Sequence, residues 1–317
     1  MPACFQPANV AELIDRIAEC RTARSGIGKV DCSRIGKILN YLPEDMTVRV
    51  ESGISLEELS EILAKSGQWL PVDPPGASRL TVKDLLDGNL FGPAISGFGF
   101  IREHLIGLKA VLADGRMIES GGNVVKNVAG YDLQKLFIGA EQSLGIITEA
   151  VFKLAPVPRV RRVLTISCRD ISTAASVSQT VRSAPVTPEV FDWYRLGEME
   201  KNNEITVVLR FGGNTDDVDE QAARMSRLGF CVGKTADYDE WLLNQGRTVQ
   251  RTTVPPSSLD ALIQRLNGQP FIARAGNGIV YHQDPSLASR PNRPLFLEKR
   301  IKEMFDPLGI MPVPPWL

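Results

Sequence analysis

The spacing of apolar and polar positions divides the chain into helical and extended segments. In "NVAELIDRIAECRTA", Val10, Leu13, Ile14 and Ile17 recur at helical spacing, with Asn9 placed as an N-cap and Glu12 three residues on. "DMTVRVESG" alternates instead, and Val48 and Val50 predict a strand. "SLEELSEILAKSG" returns to the helical period. There Leu56, Leu59, Ile62 and Leu63 share one face, Ser55 and Glu58 have capping-box spacing, and Gly67 marks the end. "LIGLKAVLADGRMIESGG" reads as a hairpin turning at Asp114-Gly115. "LGIITEAVFKLAP" reads as a strand closed by Pro156 and Pro158.

The composition shifts at "VPRVRRV", which sets an expected boundary between domains 1–158 and 159–317. Beyond it the pattern predicts a strand in "VRRVLTISC", a helix in "ISTAASVSQTVRSA" and a strand in "PEVFDWYRL". A strand in "EITVVLRFGG", a helix in "DDVDEQAARMSRLGF" and one strand in "FIARAGNGIVYHQ" follow. The last helix is "LFLEKRIKEMFDPLG". Strands and helices alternating in this order predict an α+β fold with helices on one sheet face.

Composition narrows the chemistry. With 317 residues, 43% hydrophobic and 23% charged, the chain is an ordinary globular one. A formal net charge of -1 without a basic stripe argues against nucleic acid as a partner. No apolar run is long enough for a transmembrane segment, and the first residues lack the pattern of a secretory signal. Five scattered cysteines without a Cys-x-x-Cys pair, and only two histidines, predict no metal site and reduced thiols in a cytoplasmic protein. They leave little room for a nucleophile–histidine machine, so no side chain stands out as catalytic, and a bound cofactor is expected to carry any redox chemistry.

One stretch is punctuated differently from the rest: "VVKNVAGYDLQKLFIGAEQSLGIITEAVFKL", with Gly130, Gly139 and Gly145 between apolar runs. Together with "TVRVESGISLEELSEILAKSGQWLPVDPP", "LADGRMIESGG" and the closing "FDPLGIMP", it resembles the FAD-linked oxidase family with the vanillyl-alcohol-oxidase (PCMH) type of flavin domain. Within that family the chain most resembles the FAD-binding E-subunit type of bacterial glycolate oxidase. The resemblance implies a two-lobed FAD-binding domain followed by a smaller, ferredoxin-like α+β cap domain. It implies FAD as cofactor, a small 2-hydroxy acid as substrate, and hydride transfer from substrate to flavin. It further implies partner subunits bearing flavin and iron–sulfur groups, through which a cytoplasmic protein would lie peripheral to the inner membrane. By the same resemblance the cofactor-binding residues are Pro74, Thr81, Asn89, Gly92, Gly130, Asp132, Gly139, Ser143, Gly145, Ile146 and Ile147.

Three departures from the family pattern stand beside these matches. The phosphate loop after the first helix is reduced to "RTARSGIGK", about a dozen residues short of the family's glycine-rich strand and loop. The family's Thr-Ile-Gly-Gly turn is Thr81-Val82-Lys83-Asp84, and its second glycine loop has become Gly139-Ala140-Glu141-Gln142-Ser143-Leu144-Gly145. Each change removes bare, donor-rich backbone from the dinucleotide path. A second reading therefore stays open, that of a non-catalytic assembly subunit with a degenerate flavin site. Single residues keep two readings as well. Lys29 and Lys83 are phosphate partners or solvated loop charges, and Asp132 is a cofactor contact or an N-cap. His104 is catalytic or structural, and Arg274 holds a substrate carboxylate or a surface or interdomain ion pair. His282 reads as structural or exposed.

Overall fold

The computed structural model describes residues 4–122, 132–197, 204–233, 238–288 and 295–314. They cluster into two compact units: Met1–Phe91, Phe100–Val157 and Pro291–Leu317 form the first, Gly92–Gly99 and Pro158–Arg290 the second.

In the first unit, helix α1 (Val10–Ala23) forms where the apolar period predicts it. The Asn9 side chain accepts from the Glu12 amide, and the Glu12 carboxylate accepts from the Ala8 amide. Such a cap stabilises a helix by about 1 kcal/mol. Strands β1 (Ile38–Leu42) and β2 (Thr47–Glu51) follow, then helix α2 (Leu56–Ala64), strand β3 (Gln68–Trp69) and helix α3 (Val82–Asp87). Strands β4 (Leu105–Val111) and β5 (Met117–Gly121) are the hairpin expected at Asp114-Gly115, with Val111 opposite Met117. Strands β6 (Ile146–Lys153) and β7 (Ala155–Pro156) complete the set. The main sheet has the order β1-β2-β6-β4-β5 and is antiparallel throughout, while β3 pairs with β7.

Alternation along the strands separates the two sheet faces. Val48, Val50, Leu108, Ala110, Ala150 and Phe152 enter a core shared with α2, α3 and residues Ile301 and Phe305 of the C-terminal helix Leu295–Phe305. The intervening positions are charged: Arg49 bridges Glu149 at 2.7 Å and Glu119 at 2.9 Å, and Lys109 lies 3.3 Å from Glu149. Helix α1 packs separately, its Leu13 and Ile17 clustering with Val111, Ala113, Ile146 and Ile310. The short loop after α1 is held by the C-terminal segment, since the Ile27 amide donates to the Ile310 carbonyl at 2.9 Å.

The second unit is built on strands β8 (Val160–Cys168), β9 (Val190–Arg195), β10 (Ile205–Gly213), β11 (Cys231–Val232), β12 (Gln250–Thr253), β13 (Phe271–Arg274) and β14 (Ile279–His282). They form one antiparallel sheet in the order β11-β8-β10-β9-β13-β14-β12. Helices α4 (Ile171–Ser183), α5 (Thr215–Ser226) and α6 (Leu259–Arg265) share a core with Leu164, Trp193, Leu209, Phe211 and Phe271, and the Trp193 indole donates to Ser178 at 2.7 Å. The segment 271–283, expected as one strand, is a hairpin. The Arg274 carbonyl accepts from the amides of both Asn277 and Gly278, and Gly278 turns at φ +70°. A Cβ at Gly278 would lie 1.9 Å from the Val254 carbonyl oxygen, so the turn requires glycine. No helix among the described residues is long and apolar enough to cross a membrane.

His282 is fully buried and structural. Its Nδ1 accepts from the Asp284 amide at 3.2 Å, and its Nε2 faces the Thr252 hydroxyl at 2.8 Å. That hydroxyl donates to the Leu287 carbonyl, so the ring is the neutral Nε2–H tautomer. Burial lowers the His282 pKa below its ordinary 6.5. The unfolded chain then binds the proton more readily than the folded one. The stability this residue contributes is therefore complete above about 6.5 and is lost as pH falls below it. Urea unfolding of the wild type is expected to show that acid limb, and His282→Gln to flatten it; an unchanged limb in the variant would refute the assignment.

Candidate functional site

A cavity of about 710 Å³ lies within the first unit, between the loop around Gly26 to Lys29, helix α3, the turn at Glu141 and Gln142, and the segment Ile310 to Val313. Three carboxylate side chains line it, Asp84, Asp87 and Glu141, against one ammonium, Lys29.

The α3 wall is not the open turn expected from the sequence. Thr81 is the N-cap: its hydroxyl oxygen accepts from the Asp84 amide at 3.1 Å, and the Asp84 carboxylate accepts from the Thr81 amide at 3.0 Å. This reciprocal capping box makes Val82, Lys83 and Asp84 the first turn of a helix. Lys83 is neither solvated nor free for a phosphate. It is 3% exposed, and its ammonium donates to Asp87 one turn on, while its amide donates to the Ser52 carbonyl at 2.7 Å. The Gln142 side chain also bonds Asp87, and its carbonyl oxygen accepts from the Val30 amide at 3.0 Å. Burial, more than any neighbouring charge, raises the Asp87 pKa above its ordinary value. Glu141 is raised too, by burial first and by the nearby Asp87 second.

Several residues that the resemblance singles out flank the turn at Glu141 and Gln142 without lining the cavity themselves. The Gly139 amide donates to Leu86 of α3 at 2.8 Å, and Gly139 lies against Asn89, itself left-handed at φ +45°. Ser143 is buried, and its hydroxyl has no hydrogen-bond partner among the described residues. Gly145 has a packing reason of its own, because a Cβ there would sit 2.7 Å from the Val111 carbonyl oxygen. Ile146 and Ile147 pair with Val111 and Ala110 in the ladder, and the Ile147 carbonyl accepts from the Ser52 hydroxyl at 2.7 Å. Thr81, Asn89, Gly139 and Ser143 thus gather on α3 and the turn that docks on it.

The remaining residues lie elsewhere. Pro74 is buried, and its carbonyl accepts from Ala77 where a short 3-10 turn begins. Gly92 belongs to the second unit. Gly130, with Asn127 and Tyr131, lies outside the described residues. Asp132 is exposed and is not an N-cap: the short helix Gln134–Phe137 is entered from Leu133, and Asp132 pairs with Lys135 at 2.5 Å. His104 is buried at the end of a short helix that leads into β4. Arg274 is fully buried inside the second unit, its two terminal nitrogens held by Asp192 at 2.5 Å and Asp239 at 2.6 Å. It is neither a surface pair nor free to hold a substrate carboxylate.

These residues do not fit the pyrophosphate of FAD at the α3 wall. A pyrophosphate needs converging amide or cationic donors. Here the capping box, the Ser52 and Leu86 carbonyls and the Lys83–Asp87 pair have taken the donors of α3 and the turn docked on it, and three acidic residues line the space. Sequence reasoning missed this network. Its traces were local: Thr81-x-x-Asp84 has capping spacing, and Lys83 and Asp87 have helical i,i+4 spacing.

Comparison with known proteins places the architecture. Residues 21–121 match a family model described as an FAD binding domain. The chain is 33% identical over 159 residues to glycolate oxidase subunit GlcD of Bacillus subtilis, covering 50% of this chain and 34% of that protein. It is 33% identical over 143 residues to glycolate oxidase subunit GlcE of Escherichia coli, covering 45% and 40%. It is 35% identical over 150 residues to the mitochondrial D-lactate dehydrogenase [cytochrome] of Arabidopsis thaliana, covering 47% and 26%. In each case the match spans less than half the length of the relative. A solved alkyldihydroxyacetonephosphate synthase shares the fold, with a TM-score of 0.75 at 19% identity over 96% of this chain and 76% of that one. The relatives are 2-hydroxy-acid oxidoreductases, and FAD is the cofactor of the matched domain. By these matches and this fold the chain is similar to FAD-linked oxidases built on the vanillyl-alcohol-oxidase type of flavin domain.

Proposed function

We propose that the chain is a subunit of a glycolate oxidase-like complex that oxidises a small 2-hydroxy acid with FAD. The first unit is its flavin-domain lobe and the second its cap domain. The observation that carries this reading is the retained β2-β6-β4 sheet, with its docked 139–147 entry, in a chain similar to two kinds of glycolate oxidase subunit. The C-terminal helix supports a role in assembly. Ile301 and Phe305 face the core, whereas Phe296, Leu297 and Met304 are 66%, 58% and 77% exposed. An apolar strip of this kind marks a protein contact. In this reading the protein is cytoplasmic and meets the membrane only through its flavin-containing and iron–sulfur partners.

The test is affinity capture of the tagged full chain from its native cells. Flavin-containing and iron–sulfur chains are expected to co-purify, and the assembly to reduce a dye on addition of glycolate or D-lactate. Phe296→Asp combined with Met304→Asp is expected to release the partners while the chain keeps its melting temperature. Capture of the chain without these partners, or of an assembly inert to 2-hydroxy acids, would overturn the proposal. A second reading, in which this chain itself holds FAD, draws support from the unpartnered Ser143 hydroxyl beside Gly139 and Gly145. The three carboxylates of the cavity weigh against it.

A further inference from the structure

We infer that Asp87 is a resident anion: with Lys83 and Gln142 it replaces the FAD pyrophosphate inside this chain, which therefore completes its fold without a dinucleotide. The inference rests on the matched region being a flavin domain and not on the complex having been assigned correctly.

Three observations carry it. First, donors converge on one buried carboxylate, as they would on a phosphate. The Lys83 ammonium and the Gln142 side chain both bond the Asp87 carboxylate. Second, several amides of α3 and of the segments packed beside it are spent internally. Lys83 donates to Ser52, Leu85 to Thr81, Gly139 to Leu86, Ser143 to Ala140 and Val30 to Gln142. An incoming phosphate would have to break these bonds before making its own. Third, the field is of the wrong sign. With Asp87 paired to Lys83, Asp84 and Glu141 still line the space against Lys29, the single lining cation among the described residues, so a pyrophosphate would meet like charge.

The test uses the full chain, purified alone and within its native assembly. Flavin released on denaturation is measured per chain, and thermal unfolding is followed with FAD, ADP and inorganic pyrophosphate. The isolated wild type is expected to be colourless, with a melting temperature that none of the three probes moves. Stoichiometric flavin in the isolated chain, or a saturable rise in its melting temperature with FAD or ADP, would overturn the inference. A second arm vacates the anion. Asp87→Ala leaves Lys83 and Gln142 facing an emptied place, so inorganic pyrophosphate is expected to stabilise this variant and not the wild type. A folded Asp87→Ala that ignores pyrophosphate, or a wild type that responds equally, would also overturn it. The wild-type flavin measurement stands whether or not the variant folds. Failure of the chain to associate with glycolate oxidase partners leaves the FAD titration untouched, so the two readings fail separately.

Discussion

Replacing Arg274 with methionine is expected to destabilise the protein by about 3–5 kcal/mol, the scale for removing one partner of a buried ion pair. The guanidinium is fully buried between Asp192 and Asp239, with the rings of Tyr238 and Tyr281 at 5.9 Å and 5.7 Å from its carbon. The Tyr238 hydroxyl donates to the same Asp192 oxygen at 2.7 Å. Methionine fills similar volume but leaves two carboxylates facing each other. Burial already raises Asp192 to about 6 despite the arginine. A carboxylate whose folded pKa is raised contributes most below its unfolded value and loses that contribution as pH rises through the folded value. Without the arginine the shift grows, so the variant is expected to lose more stability at neutral than at mildly acidic pH. Urea unfolding at both pH values reads this. A loss under about 1 kcal/mol, as an exposed pair would give, would show that the ion pair is not buried. Arg274→Lys is expected to recover only part of the loss, since one ammonium cannot reproduce the two-pronged contact.

The second large effect is expected at Lys83. Lys83→Met leaves the buried Asp87 without its cation and beside Asp84 and Glu141, again at a cost of about 3–5 kcal/mol. The double variant Lys83→Met with Asp87→Leu removes both charges, and is expected to regain most of that stability, less about 1 kcal/mol for the Gln142 bond. A double-mutant cycle from denaturant unfolding gives the coupling directly. Additive losses would mean that the two side chains are not partners.

How much of this was legible in the sequence depends on the range of the cause. Helices α1 and α2 and the hairpin at Asp114-Gly115 form where the pattern puts them, because caps, periodicity and turn chemistry act over a few residues. Helix α3 was hidden by comparison with a glycine turn, although Thr81 and Asp84 carried the helix signal between them. The turn within 271–283 was hidden by apolar runs on both sides of Ala275 to Gly278. Burial of Lys83 could not be read locally. It depends on Ser52, Gln142 and the loop before Val30, which only the fold assembles. Gly145 was visible as a glycine, but its reason, the carbonyl of Val111 on the neighbouring strand, was not.

The interlock of Lys83 and Asp87 also makes the present form of the site hard to undo one residue at a time. A glycine turn can acquire its first side chain while solvent or cofactor still screens it. Once the two charges are buried against each other, neither can be removed alone without leaving the other stranded. A return to a bare cradle would need several replacements at once, including a longer loop before Val30. Each single replacement of the pair therefore costs stability before a bare cradle could form.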